Sequence, residues 1–151
     1  MQKSCFLFGH ADAPQDIFPY LESAIEREVL SGTTSFYVGY HGSFDRIAAA
    51  ALRAVKRRHS GILVMLVLAY HPAEANKETP PDFDGTFYPP LENVPRRFAL
   101  VQGNQYMIKT VDSAICYVRR AGNAEKILAI AKRRNIPINN IADLTQHSRL
   151  L

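Results

Sequence analysis

The stretch GILVMLVLA, residues 61–69, is apolar from end to end, with no polar residue at alternate positions. A strand with one wet face alternates. A strand that does not alternate is covered on both faces, as in the middle of a parallel sheet between two layers of helices. The run is also far short of the roughly 18 apolar residues that a membrane span needs. A buried central strand therefore sets the expectation for the whole chain, and the other segments are read against it.

Those segments fit. Ser4 to Phe8 is a short apolar run that predicts a first strand. A helix follows from about Ile17, with Asp16 as its N-cap and Pro19 in its first turn, where the missing N–H costs nothing. Leu21, Ile25 and Val29 form its apolar stripe, and Gly32 ends it. Phe36 to Val38 predicts a second strand. Ile47, Ala48, Ala51, Leu52 and Val55 give the next helix a buried face. Residues 70–95 hold six of the nine prolines and predict a long excursion loop with a short strand near Thr86 to Tyr88. A helix from Arg96 to Thr110 carries Asn104 within an otherwise apolar stripe. Ser113 to Val118, a helix over Ala124 to Arg134, and Ile136 to Ile141 complete the alternation, and the last ten residues read as a tail or short helix. The order predicts one α/β domain over residues 1–151: a Rossmann-like parallel sheet of about five strands with helices on both faces. Ligands of such sheets bind outside the carboxyl ends of the strands, where the strand order reverses.

Chemistry-bearing residues collect at those ends. The first strand runs into Gly9-His10-Ala11-Asp12, the second into Gly39-Tyr40-His41-Gly42-Ser43, the third into Tyr70-His71-Pro72, and the fourth into Arg119-Arg120-Ala121-Gly122-Asn123. Three of the five histidines thus follow strand ends on one edge. Glycines there admit a close ligand, and each following helix offers free N–H groups to an anion. Each feature also has a plain structural reading. Paired glycines before a helix serve turns, Asp45 in a first turn complements the helix dipole, and a loop carbonyl satisfies Asn104 as well as a ligand does. No histidine spacing suggests a metal, and no GxGxxG follows the first strand, which argues against an ordinary dinucleotide fold. No cofactor is implied.

The net charge of +4 invites a test of nucleic-acid binding. Two of the basic runs, Lys56-Arg57-Arg58 and Lys132-Arg133-Arg134, fall at predicted helix ends, where cations complement the dipole. Cys5 and Cys116 fall inside strands and read as buried, inert thiols. The opening MQKSCFLFGHAD has no long apolar leader, so the cytoplasm is the expected location.

Taken together, several blocks resemble the SLOG superfamily, which includes the Lonely Guy phosphoribohydrolases and the DNA-processing protein A family. Cys5-Phe6-Leu7-Phe8-Gly9-His10 is similar to its opening CxFxGHR, and FYVGYHGSFDRIAAAAL (36–52) to its strand and turn ending in GxFDxxaa. Leu66 to Pro72 resembles vvLAYxP, and Gly103 to Ile108 followed by Asp112 resembles RNxyMvdxsD. The blocks come in order and span nearly the whole chain, closest to the small single-domain branch from bacteria and phages. Two departures stand out. Ala11 replaces the arginine that often follows Gly-His, and Ala121-Gly122-Asn123-Ala124-Glu125 stands where the Lonely Guy enzymes carry PGGxGT.

The resemblance implies a nucleotide or ribose-phosphate ligand held by Gly9, His10, Gly39, Gly42, Ser43, Asp45, Asn104, Gly122, Asn123 and Ala124, to which the strand-end and helix readings add Tyr40, His41, Tyr70 and Met107. It also implies a homodimer. Three functions compete. A binding module would sense or sequester a nucleotide or an ADP-ribose- or NAD-derived molecule. A hydrolase would cleave an N-glycosidic bond, with Asp45 or Glu125 as the carboxylate and His10 or His41 as the acid. A single-stranded DNA binder would stack bases on Tyr40, Tyr70 and Tyr106, for which no long basic groove is evident.

Overall fold

The computed structural model describes residues 2–70 and 80–150, with side chains as far as residue 145. His71 and Pro72 lie outside the described residues. Six parallel strands form one sheet: β1 (Lys3–Gly9), β2 (Thr33–Val38), β3 (Leu63–Val67), β4 (Gly85–Phe87), β5 (Ser113–Tyr117) and β6 (Ile138–Asn140). Their order across the sheet is β4-β3-β2-β1-β5-β6. The helices are α1 (Phe18–Leu30), α2 (Ser43–Arg58), α3 (Ala99–Thr110), α4 (Asn123–Arg134) and α5 (Ile141–Leu150). The short strand expected in the proline-rich excursion is β4, paired with β3.

Strand alternation divides the core in two. Cys5, Leu7, Phe36, Val38, Val64, Ile115 and Tyr117 point into a layer formed with α1, α2 and the start of α5. Phe6, Phe8, Val67, Ala114, Cys116 and Val118 point the other way, against α3 and α4. Every residue of β5 is buried, as are the four central residues of β1. The middle pair of the sheet is β2 and β1, with β5 on the far side of β1.

The GILVMLVLA run is not that centre. Its strand β3 lies second from the edge, and Leu63 is 47% exposed. Helices α3 and α4 cover β1, β5 and the end of β3, but not its start, so apolarity overstates its burial. The N-cap expectation for α1 also needs correction. Asp16 lies in a 3-10 turn (Gln15–Ile17), and Ile17 occupies the cap position with no side-chain cap bond. Gly32, at φ +108°, does end α1.

The basic helix ends are used locally. Arg58 pairs with Glu22 at 3.3 Å and Glu26 at 3.0 Å, and Lys56 with Asp84 at 2.9 Å. Arg134 donates to the carbonyls of Ile108 and Val111 at 3.0 and 2.7 Å, satisfying acceptors at the end of α3. Asp112, just before β5, clips that strand to β1. Its carboxylate accepts the Ser4 N–H at 2.9 Å, and its own N–H donates to the Ser4 carbonyl at 3.0 Å. Both cysteines are buried free thiols. Burial holds Cys5 well above its ordinary pKa and pushes Cys116 up to about 12. Among the described residues, no helix is long and apolar enough to cross a membrane.

Candidate functional site

The sheet order reverses between β1 and β5: the chain leaves β1 toward β2, β3 and β4, then returns to the other side as β5 and β6. A crevice of about 300 Å³ lies at that point, at the carboxyl ends of the strands. Its wall includes the β1 turn, the β2 turn, the first turns of α2 and α4, and one side of α3.

Of the candidate residues, Gly9, His10, Gly39, His41, Gly42, Asp45, Asn104, Gly122, Asn123 and Ala124 line this crevice. The others do not. Ser43 is tied to the β1 turn, its hydroxyl donating to the Ala13 carbonyl at 2.6 Å and its N–H to the Ala11 carbonyl at 2.8 Å. Met107 is buried beneath α3 in the core. Tyr40 lies against the His41 ring, tilted by 33° with 4.0 Å between ring centres, and faces a neighbouring cavity. Tyr70 lies under the Arg96 guanidinium, 4.0 Å from its ring centre, at another cavity. Glu125 is exposed in the first turn of α4 and is not part of the crevice wall, which removes it as the carboxylate of a reaction there. Arg120, Phe44 and Leu100 line the crevice although the sequence did not single them out. For Arg120 the signal was available, since it is a cation just past the strand that flanks the reversal.

The glycines have local reasons for being glycine. A Cβ on Gly42 would stand 2.7 Å from the Ala11 Cα, and one on Gly9 2.7 Å from the Phe44 ring. These two positions let the start of α2 close onto the β1 turn. A Cβ on Gly39 would stand 3.0 Å from an Asp45 carboxylate oxygen. Gly122 differs: nothing lies within 4 Å, and its φ of +147° is a conformation that side chains resist.

Both helices that open on the crevice start without a side-chain cap. The cap residues are Gly42 for α2 and Gly122 for α4. Uncapped first turns leave backbone N–H groups for another acceptor. The helix dipoles place partial positive charge at the same points. Arg120 adds a full charge at the rim, where it pairs with Asp12 at 2.6 Å. That pairing holds the exposed Asp12 carboxyl below its ordinary pKa. On the opposite side Asn104 is half-buried, and no described residue hydrogen-bonds its amide. The buried stripe of α3 runs instead through Ala99, Gly103, Met107 and Ile108, leaving Asn104 at its margin.

His10 is buried and serves as a staple. Its N–H donates to the Tyr117 carbonyl at 3.2 Å, and its Nε2 accepts the Arg119 N–H at 3.0 Å. Burial, then Arg120, lower its pKa. A neutral ring whose Nε2 lone pair is occupied is poorly suited to donate a proton from that atom, so the general-acid expectation for His10 gives way to joining the ends of β1 and β5.

Asp45 is half-buried three residues into α2 after its cap, and accepts the His41 N–H at 2.8 Å. Burial raises its carboxyl to about 6, against the opposing pull of that bond. An acid whose folded pKa is raised binds its proton more tightly folded than unfolded. Its contribution is therefore full at low pH and is lost as pH rises from about 4 to about 6. Asp45→Asn removes that loss. Its stability relative to the unmodified chain should rise by roughly 2–3 kcal/mol between pH 4 and pH 7. Urea denaturation of both proteins across this range checks it; the opposing titration of His10 cancels in the comparison.

No protein-family model and no curated protein matches the chain.

Proposed function

We propose that this protein binds a nucleotide or a related sugar phosphate in the crevice beside the β1–β5 reversal. The observation that carries the reading is the convergence of two uncapped helix N-termini on one polar crevice, with Arg120 at its rim. Backbone N–H groups at helix starts suit phosphate oxygens. The crevice is within the size range of small-molecule sites. Asn104 supplies an amide for a hydroxyl or a base edge. The SLOG-like sequence blocks support the same ligand class.

Asp45 motivates a second reading, hydrolysis of an N-glycosidic bond. A carboxyl near pKa 6 exchanges a proton close to neutral pH. Water would add to the anomeric carbon, the C–N bond would break, and the base would leave carrying a proton. Single-stranded DNA binding has less support, since Arg58, Lys56 and Arg134 are engaged in local bonds.

A thermal-shift panel of AMP, ADP, ADP-ribose, NAD and a short single-stranded oligonucleotide tests this, with mass spectrometry of each mixture afterwards. A ligand that prefers the folded state raises Tm by mass action. A shift with the ligand recovered intact supports binding, and released base supports hydrolysis. A shift with the oligonucleotide alone contradicts both.

A further inference from the structure

A second cavity of about 520 Å³ lies beside the crevice, between α2 and the end of β3. Gly39 and Asp45 line both spaces. The two differ in chemistry. The crevice presents helix starts, Arg120 and Asn104. The second cavity is walled mainly by Ala49, Leu66, Leu68, Pro80 and Phe83, with Tyr40 beside them and Arg46 and Arg53 completing the wall, the latter paired with Asp82 at 3.6 Å. Tyr40 has a partly buried hydroxyl, and Phe83 packs against the core. Apolar walls reward a ring or hydrocarbon group with the free energy of leaving water. The apolar side chains offer little to a phosphate, and the cations of this wall are confined to Arg46 and Arg53.

We propose that the two cavities are compartments of one site for a two-part ligand. The anionic sugar-phosphate end occupies the crevice, and a flat apolar or aromatic group occupies the second cavity. The bond joining them passes Gly39 and the Asp45 carboxylate. Gly39 matters here because a side chain at that position would crowd the carboxylate at the common wall. The ligand class narrows to a sugar phosphate bearing a ring, a nucleotide being the simplest case. This inference rests on the proposed function, and its test separates the two.

The probes are ribose 5-phosphate and AMP, titrated calorimetrically against the full chain and against Ala49→Leu and Ala49→Phe. Ala49 lines the second cavity but not the crevice, and the two side chains fill it to increasing degrees. Circular dichroism checks that each variant folds; the smaller substitution serves if the larger does not. AMP should bind the unmodified chain at least about tenfold tighter than ribose 5-phosphate, the return from burying one apolar group. That advantage should shrink with Leu and vanish with Phe, while ribose 5-phosphate affinity stays as the internal reference. Ribose 5-phosphate and AMP binding equally, or an advantage that survives both substitutions, overturns the second compartment and leaves the crevice intact. Binding of neither probe overturns the proposed function and the compartment with it.

Discussion

Phe44→Ala should lower stability by about 3–5 kcal/mol, the range for removing a buried aromatic side chain. For a chain of this length that is a fall in Tm of roughly 6–20 °C. Phe44 is 1% exposed in the first turn of α2, packed in the core layer that joins α1 and α2 to the sheet. Its ring fills the space left by Gly9 and forms part of the crevice wall. The substitution therefore opens a void in the core and removes a wall of the site. Differential scanning calorimetry reads the first effect. A loss below about 1 kcal/mol would mean that the ring does not bear on β1 as described.

Gly42→Ala should cost about 2–3 kcal/mol, the upper range for forcing atoms into a filled space. The backbone here is extended (φ 172°), a conformation any residue adopts, so the cost is steric alone. The new Cβ would meet the Ala11 Cα at 2.7 Å and its Cβ at 2.8 Å. Removing the latter in a Gly42→Ala, Ala11→Gly double variant should restore less than half of the loss, because the Ala11 Cα and carbonyl remain. Denaturant midpoints of the two variants measure this. Full restoration would place the contact on the Ala11 methyl alone. The clash also separates the start of α2 from the β1 turn, so ligand affinity should fall with stability.

Much of the fold could be read from periodicity. The i, i+4 stripes of α1, α2 and α4 turned up as the buried faces, since burial of a helix face follows from spacing alone. Position within the sheet could not be read this way. GILVMLVLA is as apolar as a central strand, yet Leu63 is exposed, because apolarity records what a strand tolerates and not which neighbours it has. The fully buried strand is β5, whose segment SAICYV is shorter and opens on a serine. That serine, Ser113, donates to Glu28, a carboxylate also held by Thr33 at 2.8 Å. Such a pairing between residues 85 positions apart leaves no local trace.

The site was legible in outline. Strand ends followed by glycine pointed to the edge where the crevice lies, and ten of the candidate residues line it. What each glycine spares room for was not legible. A ligand, a phenylalanine ring and an alanine backbone all call for the same missing Cβ. Gly9 and Gly42 serve neighbouring protein atoms, and of the glycines lining the crevice Gly122 alone faces open space. Tyr70 and Met107 fall outside the crevice, and Tyr40 faces the neighbouring cavity, for a related reason. Adjacency in sequence to a crevice residue says little when the next side chain in an irregular turn, or the neighbour along a helix, faces elsewhere.

The central claim is that anions are held by the starts of α2 and α4 together. The most direct measurement is a titration of the ¹⁵N-labelled chain with AMP, followed by amide chemical shifts. The account predicts that the amides of Phe44 and Asp45 on one helix and of Asn123 and Ala124 on the other move together along a single saturable curve, with Arg120 moving beside them. Saturable shifts confined to another surface, or no shift in either helix start, would contradict it.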